Sequence, residues 1–138
     1  MYIQAEDILP QRAPIVMIDA LTSYTDSEVE TTFLVREDDI FVEDGVMSEC
    51  GVLEHIAQTC AARTGYISKY ILKKPVDIGY IGQIKSMLVT RRPKVGETLT
   101  TRIKVLGEVF GITSITAVVN SGDETIARGS MKLATKQQ

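Results

Sequence analysis

Ser48-Glu49-Cys50-Gly51-Val52-Leu53-Glu54-His55-Ile56-Ala57-Gln58-Thr59-Cys60-Ala61-Ala62-Arg63-Thr64-Gly65 is the stretch on which the fold class turns. Leu53, Ile56, Ala57, Cys60, Ala61 and Thr64 recur at i, i+3, i+4, i+7, i+8 and i+11, an apolar stripe with helical spacing built largely from small side chains. Ser48 can cap the first turn and Glu49 complements its positive dipole end. Gly65 loosens the last turns, and Pro75 bars continuation past Lys73-Lys74. A helix faced with small residues lets a sheet approach closely.

The flanking sequence is β in pattern. Residues 5–9 read as a short amphipathic turn closed by Pro10, and the Ile15-Val16-Met17-Ile18 run reads as a first strand. Glu28 to Val35 alternates, with Val29, Thr31, Phe33 and Val35 on one side. Arg36 to Met47 is acidic and irregular. After the helix, strands are predicted around Ile78 to Val89, Thr98 to Leu106, Val109 to Val119 and Thr125 to Ala134. The predicted separators are Pro93–Gly96, a weak turn at Gly107-Glu108 and a strong hairpin signal at Asn120-Ser121-Gly122-Asp123. One long helix early among five or six strands predicts an α+β architecture, an antiparallel curved sheet wrapped around one central helix: the hot-dog fold. Long edge strands of such a sheet are hidden most simply by pairing across a two-fold axis, so a homodimer or higher oligomer is expected.

The 138 residues suit a single domain spanning 1–138. With 44% hydrophobic and 24% charged residues and a net charge of −3, the chain reads as globular and gives no sign of nucleic-acid binding. The start MYIQAEDILPQR lacks a basic region followed by an apolar one, and no apolar run approaches membrane-spanning length, so a cytoplasmic location and no membrane partner are expected. Cys50 and Cys60 lie ten residues apart on one predicted helix. That is ~15 Å along its axis, too far to bridge, so reduced thiols are expected. The lone histidine has no Cys or His at ligand spacing, Asp38-Asp39 lacks the rest of a calcium loop, and no glycine loop cradles phosphate; neither metal nor cofactor is expected.

Glu54-His55-Ile56-Ala57-Gln58, followed by Ala61-Ala62 and Gly65, resembles the Glu-x-x-Ala-Gln helix signature of hot-dog 3-hydroxyacyl-acyl carrier protein dehydratases. Ile8-Leu9-Pro10-Gln11-Arg12-Ala13-Pro14, then Met17-Ile18-Asp19, is similar to that family's opening segment and the strand ending in Asp. Gly82-Gln83-Ile84-Lys85-Ser86-Met87 and Arg92-Pro93-Lys94-Val95-Gly96-Glu97 resemble its strand-turn-strand after the helix. The order is preserved over most of the chain, and Gly79-Tyr80-Ile81-Gly82 with Ala61-Ala62 look like the variant branch of aryl-polyene and related pigment clusters.

The resemblance implies an acyl thioester substrate, on acyl carrier protein or coenzyme A, and places a carboxylate at Glu54. Removing water from a 3-hydroxyacyl thioester requires a base for the α-proton, an acid for the departing hydroxide, and donors for the thioester oxygen. Glu54 borders the apolar stripe; as an isolated residue it would read as a solvated helix charge, and the flanking signature favours a catalytic carboxylate. Gln58, one turn on, either orients Glu54 by an i,i+4 hydrogen bond or is a polar surface residue. First-turn amides of Cys50, Gly51 and Val52 are candidates for holding the thioester oxygen. Phe41, Ile81, Gly82 and Met87 are candidate acyl-tunnel residues, or plain core. Lys85, Arg91, Arg92 and Lys94 form a basic run that either docks an acidic carrier protein or is a solvated turn.

The family histidine is missing. Alignment lays Ile40 at its position and Gln11 at that of the opening segment's histidine, and neither side chain can act as a base. His55 points well away from the centre of the stripe, at roughly 100° per residue, and reads as a surface or interface histidine. Three readings therefore stay open: a dehydratase-like protein of altered or reduced activity, a hot-dog thioesterase whose helix carboxylate activates water, and a non-catalytic partner subunit in a heterodimer with an active homologue.

Overall fold

The computed structural model describes residues 1–76 and 78–136, side chains of 78–80, 135 and 136 excepted. The chain runs β1 (Ile3–Gln4), α1 (Ala5–Ile8), β2 (Ala20–Tyr24), β3 (Glu28–Leu34), β4 (Val42–Glu43), β5 (Val46–Met47) and α2 (Glu49–Tyr66). A π-helical extension, Ile67–Ile71, leads to β6 (Ile78–Val89), β7 (Thr98–Val109), β8 (Ile112–Ser121) and β9 (Glu124–Lys136). Seven strands form one antiparallel sheet in the order β1-β2-β3-β7-β8-β9-β6, and β4 and β5 form a separate hairpin. α2 lies against β2, β3, β6 and β7. This is the predicted α+β hot-dog architecture. Among the described residues no helix is long and apolar enough to cross a membrane.

Alternation in the sequence becomes the inner face of the sheet. Val29, Thr31, Phe33 and Val35 are buried, as are Leu99, Thr101 and Ile103 on β7 and Thr113, Ile115, Ala117 and Val119 on β8. The full register of β3 against β7, from Glu28↔Lys104 to Leu34↔Thr98, keeps these inward sets together. Ser48 caps α2 as expected, its Oγ accepting from Gly51 N–H at 3.2 Å. Gly65 is required for a reason other than helix fraying: a Cβ there would lie 1.8 Å from the backbone oxygen of Ile8, so α1 rests directly on α2 at this point.

Three expectations are corrected. The Ile15–Ile18 run is not a strand; the first long strand begins at Ala20. Met17 N–H donates to Gln58 Oε1 and Met17 O accepts from His55, so helix side chains occupy the backbone groups a neighbouring strand would use. The turn between β7 and β8 falls at Phe110-Gly111, with φ of 53° and 78°, while Gly107 sits at a register shift inside the hairpin. Positive φ at both turn positions matches the strand twist, and a phenylalanine at the first of them is not a residue that advertises it. Third, α2 is rotated from the predicted orientation. Val52, His55, Ile56, Thr59, Cys60 and Ala62 are buried, whereas Leu53, Ala57 and Thr64 are only half-buried. The acidic segment before α2 also holds structure, the β4–β5 hairpin, turning on Asp44-Gly45 with φ of 53° and 78°.

Candidate functional site

The helix rotation follows from two polar residues that the core satisfies completely. His55, fully buried, places Nδ1 2.7 Å from Met17 O and Nε2 2.6 Å from Thr101 Oγ1. A carbonyl only accepts, so Nδ1 carries the proton and Nε2 accepts from the Thr101 hydroxyl. Thr59 Oγ1 donates to His55 O at 3.0 Å and receives a hydrogen bond from Thr31 Oγ1 at 2.8 Å. The surface or interface placement expected for His55 is therefore wrong. Helical angle measured from the apolar stripe excluded it from the core, but its polar atoms are matched one for one inside.

Burial pushes the His55 imidazole down from 6.5 to about 4, outweighing the opposing hydrogen bond to Met17 and the field of Asp19. The folded chain keeps it neutral where the unfolded chain would protonate it. Its contribution to stability is thus complete above about pH 6.5 and is lost as the pH falls towards 4, worth roughly 3 kcal/mol over that window. Glu97, held down to about 2 chiefly by Arg91, loses its contribution in the lower window from 4.5 to 2. Urea unfolding from pH 7 to 4 is expected to show the upper window in the wild type. In His55→Gln the part of that segment from pH 7 to about 5, above the Glu97 window, should be flat, from a lower starting stability.

Gln58 is also fully buried, which removes its reading as a surface residue. Its Oε1 accepts from Met17 N–H, and its Nε2 donates to Ile15 O and to Glu54 Oε1, both at 2.8 Å. These bonds define the orientation of the amide, since only the nitrogen end can donate to a carbonyl and a carboxylate. Glu54 is half-buried at the helix border and is gripped from below by a side chain that is itself anchored twice. A carboxylate so held keeps its Oε1 oriented.

The remaining predicted positions are dispersed around this pair. Cys50 is exposed at the start of α2. Val52 is fully buried, with its N–H on Ser48 O at 3.2 Å, and the Gly51 amide is taken by Ser48 Oγ. A Cβ on Gly51 would meet Phe41 Cβ and Met47 Cγ at 2.6 Å, so Phe41 closes over the first turn. Phe41, Ile40, Ser48 and Arg92 line an open groove at this end. Ile81 and Met87, half-buried on β6, pack against the core, while Gly82 is exposed beside a register shift. Of the basic run, Lys85, Arg92 and Lys94 are exposed, and Arg91 is clamped by Glu97 at 2.7 Å and Glu124 at 3.0 Å. Gln11 Oε1 is buried without a hydrogen-bond partner. The side chains of Gly79-Tyr80, part of the predicted branch signature, lie outside the described residues.

Two surfaces lack a cover in the single chain, one of them beside Glu54. Leu53 and Ala57 leave the helix half-open next to it. β6, 12 residues long, is the long edge strand of the sheet, opposite the two-residue β1, and exposes Ile84 at 44% and Leu88 at 58%. A long apolar edge of this kind is a pairing surface for another chain.

Comparison with known proteins agrees with this architecture. A family model described as ApeP-like, ApeP dehydratase, matches residues 3–138. No curated protein matches the sequence. Among solved structures, the dehydratase heterocomplex ApeI:P from Xenorhabdus doucetiae superposes with a TM-score of 0.90 at 17% identity, over 100% of this chain and 94% of that one. A hypothetical thioesterase with coenzyme A from Streptococcus pneumoniae gives 0.67 at 11% identity, covering 86% and 85%. The E. coli PaaI protein from the phenylacetic acid degradation operon gives 0.65 at 11%, covering 83% and 80%.

Proposed function

Because the chain belongs to the ApeP-like dehydratase family, we propose that it is the Glu54-bearing subunit of a 3-hydroxyacyl thioester dehydratase, completed by a homologous subunit paired along β6. The observation that carries this reading is the Gln58 amide, anchored to Met17 and Ile15 and directed at Glu54. A helix charge with no task needs no such support. In the reaction the α-carbon loses a proton, the C–O bond at the β-carbon breaks, a C=C bond forms, and the departing hydroxide leaves as water. Glu54 performs one of the two proton transfers. The other needs a second titratable group, and the sole histidine of this chain is saturated by Met17 and Thr101. A partner that brings a histidine to the seam supplies it, and its surface covers Leu53, Ala57 and the β6 edge. That the similar Xenorhabdus structure is a dehydratase heterocomplex supports this arrangement. Lys85, Arg92 and Lys94 are the cations left to meet an acidic carrier protein.

The test follows enoyl formation and free thiol release from 3-hydroxyacyl and saturated acyl thioesters, using the chain alone and mixed with a histidine-bearing homologue. Enoyl product that requires the mixture is the expected result, with KM for a carrier-borne substrate rising with salt more than for its coenzyme A ester. Thiol release by the chain alone would assign it as a thioesterase instead, and turnover in the mixture that does not need Glu54 would make it a non-catalytic partner.

A further inference from the structure

From Leu9 to Asp19 the chain forms neither helix nor strand, yet Met17 and Ile18 within this strap are fully buried. Side chains of α2 hold it in place. Met17 N–H donates to Gln58 Oε1, and Met17 O accepts from His55 Nδ1 at 2.7 Å. Two residues earlier, Ile15 O accepts from Gln58 Nε2 at 2.8 Å, and the same nitrogen donates to Glu54 Oε1 at 2.8 Å. With Thr101 Oγ1 donating to His55 Nε2 at 2.6 Å, these bonds make a path from β7 to Glu54. It runs through the His55 ring, the Met17 backbone and the Gln58 amide.

His55 and Glu54 are neighbours in sequence, but about 100° of helix turn separates them, one side chain in the core and the other at its border. Both nitrogens of His55 are committed to Met17 and Thr101, so its influence on Glu54 passes through the strap. Fixing a flexible glutamine for a single hydrogen bond costs rotamer entropy. Here the amide is already fixed by Met17 and Ile15, and a preorganised donor holds a reacting group at no further cost during the reaction. What fixes Met17 from the other side is His55, whose ring is held by Thr101 and lies against Phe33 with centroids 5.6 Å apart. Removing the His55 donor leaves Met17 O unpaired in the core. The strap then shifts to find another partner, Met17 N–H moves with it, and the Gln58 amide follows.

We propose that His55 is a positioning residue for Glu54: it fixes Met17, through Met17 the Gln58 amide, and through that amide the direction in which Glu54 meets its substrate. That the substrate is an acyl thioester rests on the dehydratase reading; the control of the Gln58 amide by His55 does not.

The side-chain amide signals of Gln58, followed by NMR on the chain alone, report the last link directly. They should move in His55→Leu, which removes the donor to Met17 O, and return towards the wild type in His55→Asn, whose amide nitrogen can donate to that oxygen. Thr101→Val should move them less, because the ring still donates to Met17. Thr31 supplies the control: it stands opposite Thr101 in the β3–β7 register, and its buried hydroxyl bonds Thr59 rather than His55. Thr31→Val should lose stability as Thr101→Val does and leave the Gln58 signals in place. In the assembled dehydratase, His55→Leu should lower kcat about tenfold with KM within about twofold, the mark of a displaced reacting group. In a Gln58→Leu background the same substitution should lower kcat no further, since the path is already cut. Unmoved Gln58 signals in His55→Leu, an equal response to Thr31→Val and Thr101→Val, or kcat losses that multiply in the double variant would each overturn the proposal. If His55→Leu does not fold, His55→Asn and the two threonine variants decide by the same readings. An assembled wild type that makes no enoyl product would end the dehydratase reading and leave the amide comparison standing.

Discussion

Glu54→Gln is expected to lower the enoyl-forming turnover of the assembled dehydratase by at least about 100-fold, the lower range of what a positioned acid or base contributes. The substitution removes the ability to exchange a proton and little else. The new amide has the same shape, and its oxygen can still accept from Gln58 Nε2 as the carboxylate oxygen does now at 2.8 Å. Glu54 is only half-buried, so the unfolding midpoint and circular dichroism should match the wild type, and KM should change far less than kcat. Turnover that stays within a few-fold of the wild type would reduce Glu54 to a helix charge and remove the basis of the proposed function. Gln58→Leu offers the complementary measurement. It leaves Met17 N–H and Ile15 O without their side-chain partner, so it should reduce stability as well as turnover.

The largest effect on folding is expected from Gly65→Ala. In an ordinary helix interior this change stabilises by about 1 kcal/mol. Here the added methyl would lie 1.8 Å from Ile8 O and 2.8 Å from Ile8 C. Backbone cannot swing aside as a flexible side chain can, so α1 must lift, carrying with it Ala5, Ile8 and Leu9, all buried in the core. Exposing even one of the two larger side chains costs about 1.5 to 3 kcal/mol. With both exposed, and the helix gain set against them, a net loss of roughly 2 kcal/mol or more in denaturant unfolding is expected, a large fraction of a domain's typical stability. Gly107→Ala is the control: nothing lies within 4 Å of a Cβ built there, and its unfolding midpoint should stay close to the wild type. Comparable loss at both positions would mean that the α1–α2 contact does not govern the effect.

Local pattern carried the strands and the helix limits because each depends on neighbours in sequence. Alternation along Glu28 to Val35 put Val29, Thr31, Phe33 and Val35 on the buried face, and Asn120 to Asp123 marked the β8–β9 turn, where Gly122 has a φ of 58°. Asp44-Gly45 was a legible hairpin signal of the same kind, obscured by the acidic residues around it. Ile15 to Ile18 misled because an apolar β-branched run looks the same whether its backbone bonds go to a strand or to helix side chains. The rotation of α2 misled for a related reason: hydrophobicity scored His55 as outward and left Thr59 off the stripe, and only their partners on β3, β7 and the Met17 segment made them interior residues.

Composition, periodicity and turn chemistry by themselves determined that this chain forms an antiparallel sheet around one small-residue helix, and the order of short motifs determined its family, since both are written in residues close together along the chain. Tertiary structure alone decided that His55 is a core residue, that Gln58 braces Glu54 and that Arg91 is occupied by two carboxylates. Each of these is a pairing between residues whose mutual distance no local rule constrains. A buried polar group is stabilised or penalised by the partner it meets after folding, and that partner can lie 40 or more positions away, as Met17 and Thr101 lie from Gln58 and His55.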